Sequence, residues 1–421
     1  MGSYLNPGNL SFRGSLRSKI YVDKSELICR TNEVLFTEQK YICVSRPRRF
    51  GKSMAANMLS AYYDRNENTE ELFHNLAISK DKTYKENLNR YDVIKLNMQE
   101  FLSMSDTIEE MLGMIRNYLI SDFQETFPDV RFRDKQNLIQ VMKDVFSYTK
   151  CPFIILIDEW DCLFREYKQN KEAQKKYLDF LRAWLKDKDY VALAYMTGIL
   201  PIKKYGSHSA LNMFTEYSMT NPREIAEYFG FTEAEVKKLC QKYNQNFEET
   251  QAWYDGYELV AVNGQNKVYY SIYSPKSVVD AMLSGVFDNY WNQTETYEAL
   301  KAYIRLNFDG LKDAIIQMLA GERIQINTGT FSNDMTSFQG KDDVLTLLIH
   351  LGYLSYHWPD KTVTIPNKEV SQEYINAISQ IKEKHYVDAL KEYHGNLLLV
   401  GITYEKSEKK HHCVIEKLCK D

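Results

Sequence analysis

The sequence predicts an α/β fold: a parallel sheet covered by helices over residues 1–220, a mainly helical region over 221–367 and a small α+β tail over 368–421. Three observations predict it. Apolar runs at 41–45, 91–96, 153–158 and 190–197 alternate with stretches that suit helices, the pattern of strands in a parallel sheet with helices on both faces. The first run leads into a basic turn and Gly51-Lys52-Ser53, and the third ends in an acidic pair, Asp158-Glu159. Open α/β sheets bind ligands at the carboxyl ends of their strands, where both groups fall.

Each element follows from its residues. In YICVSRPRRFGKS (41–53), Ile42, Cys43 and Val44 suit a buried strand, and Met54 to Tyr63 continues with good helix formers and no proline. A helix N-terminus carries unpaired N–H groups and about half a positive charge, which suits a polyphosphate. Gly51 lets the backbone approach phosphates, Lys52 reaches the β/γ oxygens, and the Ser53 hydroxyl can hold Mg²⁺. The candidate binding stretch is therefore Arg46, Pro47, Arg48, Arg49, Phe50, Gly51, Lys52, Ser53 and Met54. The usual phosphate loop has a glycine where this chain has Arg46. The competing reading is simply a basic helix start.

In PFIILIDEWD (152–161) the apolar run suits a strand buried on both faces. Asp158 can then ligate Mg²⁺ through water, and Glu159 can orient and deprotonate an attacking water. Phosphoryl transfer asks little covalent help, so a lysine, a metal and a positioned base suffice. The alternative for this acidic pair is an ordinary helix start with favourable charge. The next strand, YVALAYMT (190–197), ends at Thr197, either a sensor of a γ-phosphate or a threonine capping the next segment. Lys52 and the acidic pair are expected to meet at neighbouring strand tips.

Bulk properties narrow the class. At 421 residues with 44% apolar content the chain has room for about two to four domains with substantial cores. No stretch approaches the ~18 apolar residues of a membrane span. The first residues, MGSYLNPGNLSFRGSLRSK, lack an apolar run, so no signal peptide is expected, and Asn6 does not fit a myristoylation pattern. Seven cysteines without CxxC spacing suggest free thiols and a cytoplasmic location. A net charge of −4 argues against a nucleic-acid coat protein but leaves room for a local basic patch. The tyrosine pairs 62–63 and 269–270 lie in apolar patterns and are expected in a core or interface.

Further elements are expected as a helix after Ser25 to about Glu38, helices over 106–126, 134–149 and 171–188, and a fifth strand within 213–219. Beyond 221, REIAEYFG reads as helical, and Thr232 to Glu235 as a capping box. A hairpin is predicted over 258–270 around Asn263-Gly264, with helices over 275–284, 296–306, 308–319 and 341–351. A sheet pair follows at 353–365. The tail should hold a helix to about 392, a strand at 396–403 and a short one at 413–416.

Other chemistries find little support. His411, His412 and Cys413 are adjacent on a predicted strand, so their side chains alternate between faces and cannot all reach one metal. No Ser/His/Asp or Cys/His signature occurs. A helicase reading of Asp158-Glu159-Trp160-Asp161 would need a second motor core, and a GTPase an Asn-Lys-x-Asp motif.

These motifs, in this order, resemble a bacterial family of AAA-ATPase-like proteins that usually carry a C-terminal PD-(D/E)XK nuclease domain. The residues that carry the resemblance are YVDKSELI (21–28), SRPRRFGKS (45–53), LIDEWD (156–161), TGILPIKK (197–204), WYDGY (253–257), YSPKSVV (273–279) and LGYLSY with IPNKEV (351–370). The resemblance implies an ATPase of the additional-strand P-loop class, with Lys52 and Ser53 at phosphates and metal, Asp158 and Glu159 at metal and water, and Thr197 as sensor. It implies ATP and Mg²⁺ as ligands. The region 221–367 would then be a helical, winged-helix-like lid, and 368–421 a remnant of the nuclease domain. In that domain an acidic residue and a Glu-x-Lys on adjacent strands hold the metal. Here Lys382-Glu383-Lys384 is broken by His385, and Glu408-Lys409-Lys410 falls in a charged turn, so a catalytically dead remnant is expected. The leading expectation is a nucleotide-dependent switch. Its rival is a non-catalytic, nucleotide-gated scaffold that binds a protein or nucleic-acid partner.

Overall fold

A computed structural model of the chain describes residues 2–202, 211–263, 266–291, 308–332, 338–383, 397–405 and 410–418. The described chain divides into two compact units, one running to Phe229 with Ser332 added, the other holding Gly230–Phe331 and the residues from Phe338 on.

The first unit is built on five strands. These are β1 (Tyr41–Ser45), β2 (Asp92–Asn97), β3 (Phe153–Asp158), β4 (Val191–Gly198) and β5 (Thr215–Tyr217). They pair in the order β2-β3-β4-β1-β5, every pair parallel. Residues of β3 and β4 are buried along their whole length, as continuous apolar runs require in a sheet covered on both faces. Helices α1 (Lys52–Tyr63), α2 (Ile108–Thr126), α3 (Leu138–Thr149), α4 (Cys162–Glu166) and α5 (Lys171–Leu185) accompany the sheet. Tyr62 and Tyr63 are core residues as expected, packed with Phe73, Tyr84 and Tyr91. The strand β4 lies between the loop strand β1 and the acidic strand β3. The architecture is the predicted α/β one, a five-stranded parallel sheet accompanied by helices. The loop and the acidic pair are therefore on next-but-one strands rather than neighbouring ones.

Some local expectations shift. The helix after Ser25 covers only Leu27–Val34, because Phe36 takes a left-handed φ of 64° and donates its N–H to Ala192 O at 3.1 Å. REIAEYFG forms a 3₁₀ segment, Arg223–Tyr228, broken at Ile225. The fifth strand is three residues long.

The second unit opens with β6 (Phe231–Thr232) and the expected capping box, in which the Thr232 N–H donates to Glu235 at 2.7 Å to start α6 (Glu233–Tyr243). Next come α7 (Phe247–Tyr254), β7 (Tyr257–Asn263), β8 (Asn266–Tyr273) and α8 (Pro275–Ser284). β7 and β8 form the predicted antiparallel hairpin, though Tyr269 is exposed there rather than core. Then follow α9 (Leu311–Leu319), β9 (Ile324–Gln325), α10 (Lys341–Leu351), β10 (Ser355–His357), β11 (Thr362–Thr364) and α11 (Lys368–Glu383). The sheet pair at 353–365 gains a third strand, β9, which the sequence did not announce. In the tail, β12 (Leu397–Glu405) and β13 (Lys410–Leu418) pair antiparallel, and His411, His412 and Cys413 are consecutive on β13. The helix expected at 296–306, the segment 384–396 and the turn at Glu408-Lys409 lie outside the described residues. Among the described residues no helix is long and apolar enough to cross a membrane.

Two motifs of this unit lock together. Gly256 has a φ of 110°, and a Cβ added there would lie 1.9 Å from the Pro366 carbonyl oxygen. Beside it Asn367 donates to Asp255 O at 2.8 Å and accepts from Val370 N–H at 3.0 Å, starting α11. Gly256→Ala should therefore destabilise this unit by about 3 kcal/mol or more, through clash and left-handed strain together. A thermal transition within 1–2 °C of the parent would contradict that packing.

Glu369 is fully buried on α11, one turn from Glu373, and accepts the Tyr290 N–H at 2.7 Å. Burial pushes its pKa up to about 7, against the pull of its hydrogen bonds. A carboxyl raised in the folded state contributes fully below the unfolded value and loses that contribution as pH rises through about 7. Relative to Glu369→Gln, the parent should lose stability between about pH 5 and 7, on the order of 3 kcal/mol. Parallel stability curves for parent and variant over that range would refute it.

Candidate nucleotide-binding site

The site forms where the ends of β1, β3 and β4 come level. Val44 is opposite Thr197 and Ser45 opposite Gly198, while Ile157 is opposite Met196. After β1 the chain turns through Arg46–Gly51 with two left-handed residues, Arg49 at φ 69° and Gly51 at φ 89°. Glycine is needed at 51 for that backbone, not for lack of room: a Cβ there would meet nothing within 4 Å. The first intrahelical bond of α1 runs from Ala55 N–H to Gly51 O at 3.0 Å. The N–H groups of Lys52, Ser53 and Met54 precede it, so helix geometry leaves them for other acceptors. Gly51 offers no side-chain cap, and the first turn holds no acidic residue. Ser53 and Met54 are exposed at this end. Open space at Gly51, N–H groups without a side-chain cap and no acidic residue in the first turn fit an anion.

Lys52 is buried, with Nζ donating to Arg46 O at 3.0 Å and Pro47 O at 2.9 Å. Burial lowers its pKa, while Glu159, Asp158 and Asp161 pull it back up. The ammonium and the acidic group therefore share one electrostatic neighbourhood.

The acidic side is tightly specified. Asp158 Oδ1 accepts the Thr197 hydroxyl and, at 3.0 Å, the Glu159 N–H. This bond ties the end of β4 to the end of β3. Glu159 follows at a left-handed φ of 53°, a conformation that costs a residue carrying a Cβ about 1–2 kcal/mol. Trp160 N–H donates to Thr197 O at 3.0 Å, and Asp161, fully buried, accepts Ile199 N–H at 3.1 Å and Leu200 N–H at 2.8 Å. A Cβ on Gly198 would lie 2.7 Å from both Asp161 and the Trp160 indole. The DEWD and TG motifs are thus one interlocked turn.

Two residues of the site had no sequence signal assigned. Arg165, on α4, places Nη2 2.5 Å from Glu159 Oε2 and Nε 3.4 Å from Asp161 Oδ2. Its spacing of four from Asp161 on a helix was the available clue. Lys95, on β2, bonds Asn57, and its pKa is lowered by burial and raised by Asp158.

The basic residues of the loop differ among themselves. Arg46 is completely buried; its Nη1 donates to Ser45 O at 2.9 Å and Tyr217 O at 2.8 Å, and its guanidinium lies 5.5 Å from the Phe229 ring centre. Among the described residues its Nε and Nη2 have no hydrogen-bond partner, and burial pushes its pKa down to about 9. Pro47 and Phe50 are buried, while Arg48 and Arg49 are partly exposed.

For a divalent cation, the Ser53 hydroxyl and the Asp158 carboxylate are the oxygen donors this site offers, a set that suits Mg²⁺ held chiefly by phosphates and water. Among the described residues no group of three or more His, Cys, Asp or Glu side chains stands ready as a metal cage.

Residues 13–207 match the family of predicted AAA-ATPases designated AAA-ATPase_like. An uncharacterized protein from the vnfD 5′ region of Azotobacter chroococcum mcd 1 is 23% identical over 287 residues, 66% of this chain. The match spans 51% of that protein, about half its length. Among solved structures, the replication initiator DnaA bound to AMPPCP and single-stranded DNA superposes with a TM-score of 0.30 and 12% identity, over 87% of this chain and 91% of that one. Cdc6p from Pyrobaculum aerophilum superposes with a TM-score of 0.30 and 9% identity, over 86% and 93%. Both superpositions are too loose to add to what the sheet order itself shows.

Proposed function

We propose that the chain binds ATP at the 46–54 loop, hydrolyses it, and works as a nucleotide-dependent switch. The observation that carries this reading is the junction of Lys52, the uncapped start of α1 and the Asp158–Thr197 pair at one edge of the sheet. Lys52 exchanges its two loop carbonyls for β/γ oxygens of the bound triphosphate, and the first N–H groups of α1 cradle the phosphates. Ser53 and Asp158 would hold Mg²⁺, which when bound neutralises phosphate charge. Glu159 orients and deprotonates the attacking water. Thr197, tied to Asp158, reports the presence of the γ-phosphate. Arg46 braces the loop from beneath by its carbonyl contacts, and Arg48 and Arg49 are partly exposed residues of the same loop.

In this proposal residues 1–220 form the ATPase core, 221–367 a lid and 368–421 a nuclease-like remnant, in a cytoplasmic protein. The family match over 13–207 supports the first part, and the resemblance of the later motifs supports the rest. The switch would act on a protein or nucleic-acid partner.

Lys52→Ala should weaken ATP binding about tenfold or more, consistent with losing a charged hydrogen-bond donor. Unchanged affinity by calorimetry would remove the loop from the account. Glu159→Gln should keep ATP binding and lower hydrolysis by about 10²–10⁴-fold. Tight ATP binding with no phosphate release by the parent protein would instead establish the scaffold reading. Plasmid incubated with the protein and Mg²⁺ or Mn²⁺ should stay uncut, and a specific cut abolished by chelation would overturn the dead-remnant assignment.

A further inference from the structure

We propose that Arg165 is the positioning residue for Glu159, fixing the carboxylate of the base by a charged clamp anchored to the turn that follows β4. The inference rests on the reading of Glu159 as base. Glu159 alone has little to hold it: its side chain is 23% exposed and has three rotatable bonds to order. Arg165 removes that freedom. Its side chain is only 11% exposed, so the guanidinium is lodged inside the site rather than extended into solvent. Nη2 meets Glu159 Oε2 at 2.5 Å and lies 3.5 Å from Gln99 Oε1.

The far end of the clamp is an ion pair: Arg165 Nε lies 3.4 Å from Asp161 Oδ2 and makes no hydrogen bond among the described residues, while the same oxygen accepts the Ile199 and Leu200 N–H groups. A chain of polar contacts thus runs from the backbone just past Thr197, through Asp161 and Arg165, to the carboxylate of Glu159. Arg165 thus adds the Glu159 carboxylate to contacts that already join the two motifs through Asp158, Trp160 and Asp161. A planar guanidinium can face two carboxylates in set directions at once, which an ammonium cannot. Displacements of about 1 Å at a reacting group cost up to 10²-fold in rate, so this restraint bears on turnover rather than on nucleotide affinity.

A double-mutant cycle on the full chain tests it, with ATP hydrolysis, ATP affinity and the thermal transition measured for Arg165→Gln, Arg165→Lys, Glu159→Gln and the double variant. Arg165→Gln should lower kcat about 10–100-fold while ATP affinity stays within about threefold. Arg165→Lys should recover part of the lost rate. In the Glu159→Gln background, Arg165→Gln should cause no further loss, because the group it positions is gone. An equal loss in both backgrounds would assign Arg165 a merely structural role and overturn the inference. Parental turnover by Arg165→Gln beside an inactive Glu159→Gln would also overturn it, while leaving the base in place. Parental turnover by Glu159→Gln would remove the base and this inference together. Should Arg165→Gln lack a thermal transition, the same cycle is run with Arg165→Lys.

Discussion

Parallel pairing of β1 and β3 with the strand between them is the constraint on which the site depends. Because β4 is hydrogen-bonded to both, a fixed register sets Thr197 opposite Val44 near the end of β1, and Met196 opposite Ile157, the residue before Asp158. A one-residue slip would turn every side chain of a strand to the opposite face, and a sheet buried on both faces cannot accommodate that. The Thr197 hydroxyl on Asp158 and the Trp160 N–H on Thr197 O add a side-chain and a backbone lock to the same register. The geometry of the charged groups is therefore inherited from the sheet, and only their fine placement is left to loops.

The charges that the sheet gathers are arranged against their own burial. Lys52 loses proton affinity by burial and regains part of it from three nearby carboxylates. Glu159 is raised by burial and lowered by Lys52 and Arg165. Among the described residues Arg46 has no carboxylate as a hydrogen-bond partner and relies on two carbonyls and an aromatic face, with Nε and Nη2 unpaired. Each orphaned buried donor costs about 1–3 kcal/mol, so a glycine at that position would be the cheaper choice for a loop. That cost is consistent with Arg46 being kept to shape the loop from below.

Much of this was legible in the sequence because the signals are local. Continuous apolar runs gave the strands, the capping box gave the start of α6, and Gly-Lys-Ser after a strand gave the loop. What escaped depends on tertiary packing. The burial of Arg46 was not legible, since arginines are seldom fully buried, and only the fold shows its guanidinium on the Ser45 and Tyr217 carbonyls. Arg165 belongs to a five-residue helix with no motif of its own, and its partners are set by the turn at Glu159. The 3₁₀ segment at 223–228 had the apolar spacing of a helix, but backbone at Ile225 departs from it. β9 pairs through two residues only, too few for any periodicity to reveal.

The most direct measurement is a crystal structure of the protein with a non-hydrolysable ATP analogue and Mg²⁺. The account predicts the triphosphate at the start of α1, with Lys52 Nζ moved from the carbonyls of Arg46 and Pro47 to the β/γ oxygens. An analogue bound elsewhere, or a Lys52 still on those carbonyls with the phosphates out of reach, would contradict it.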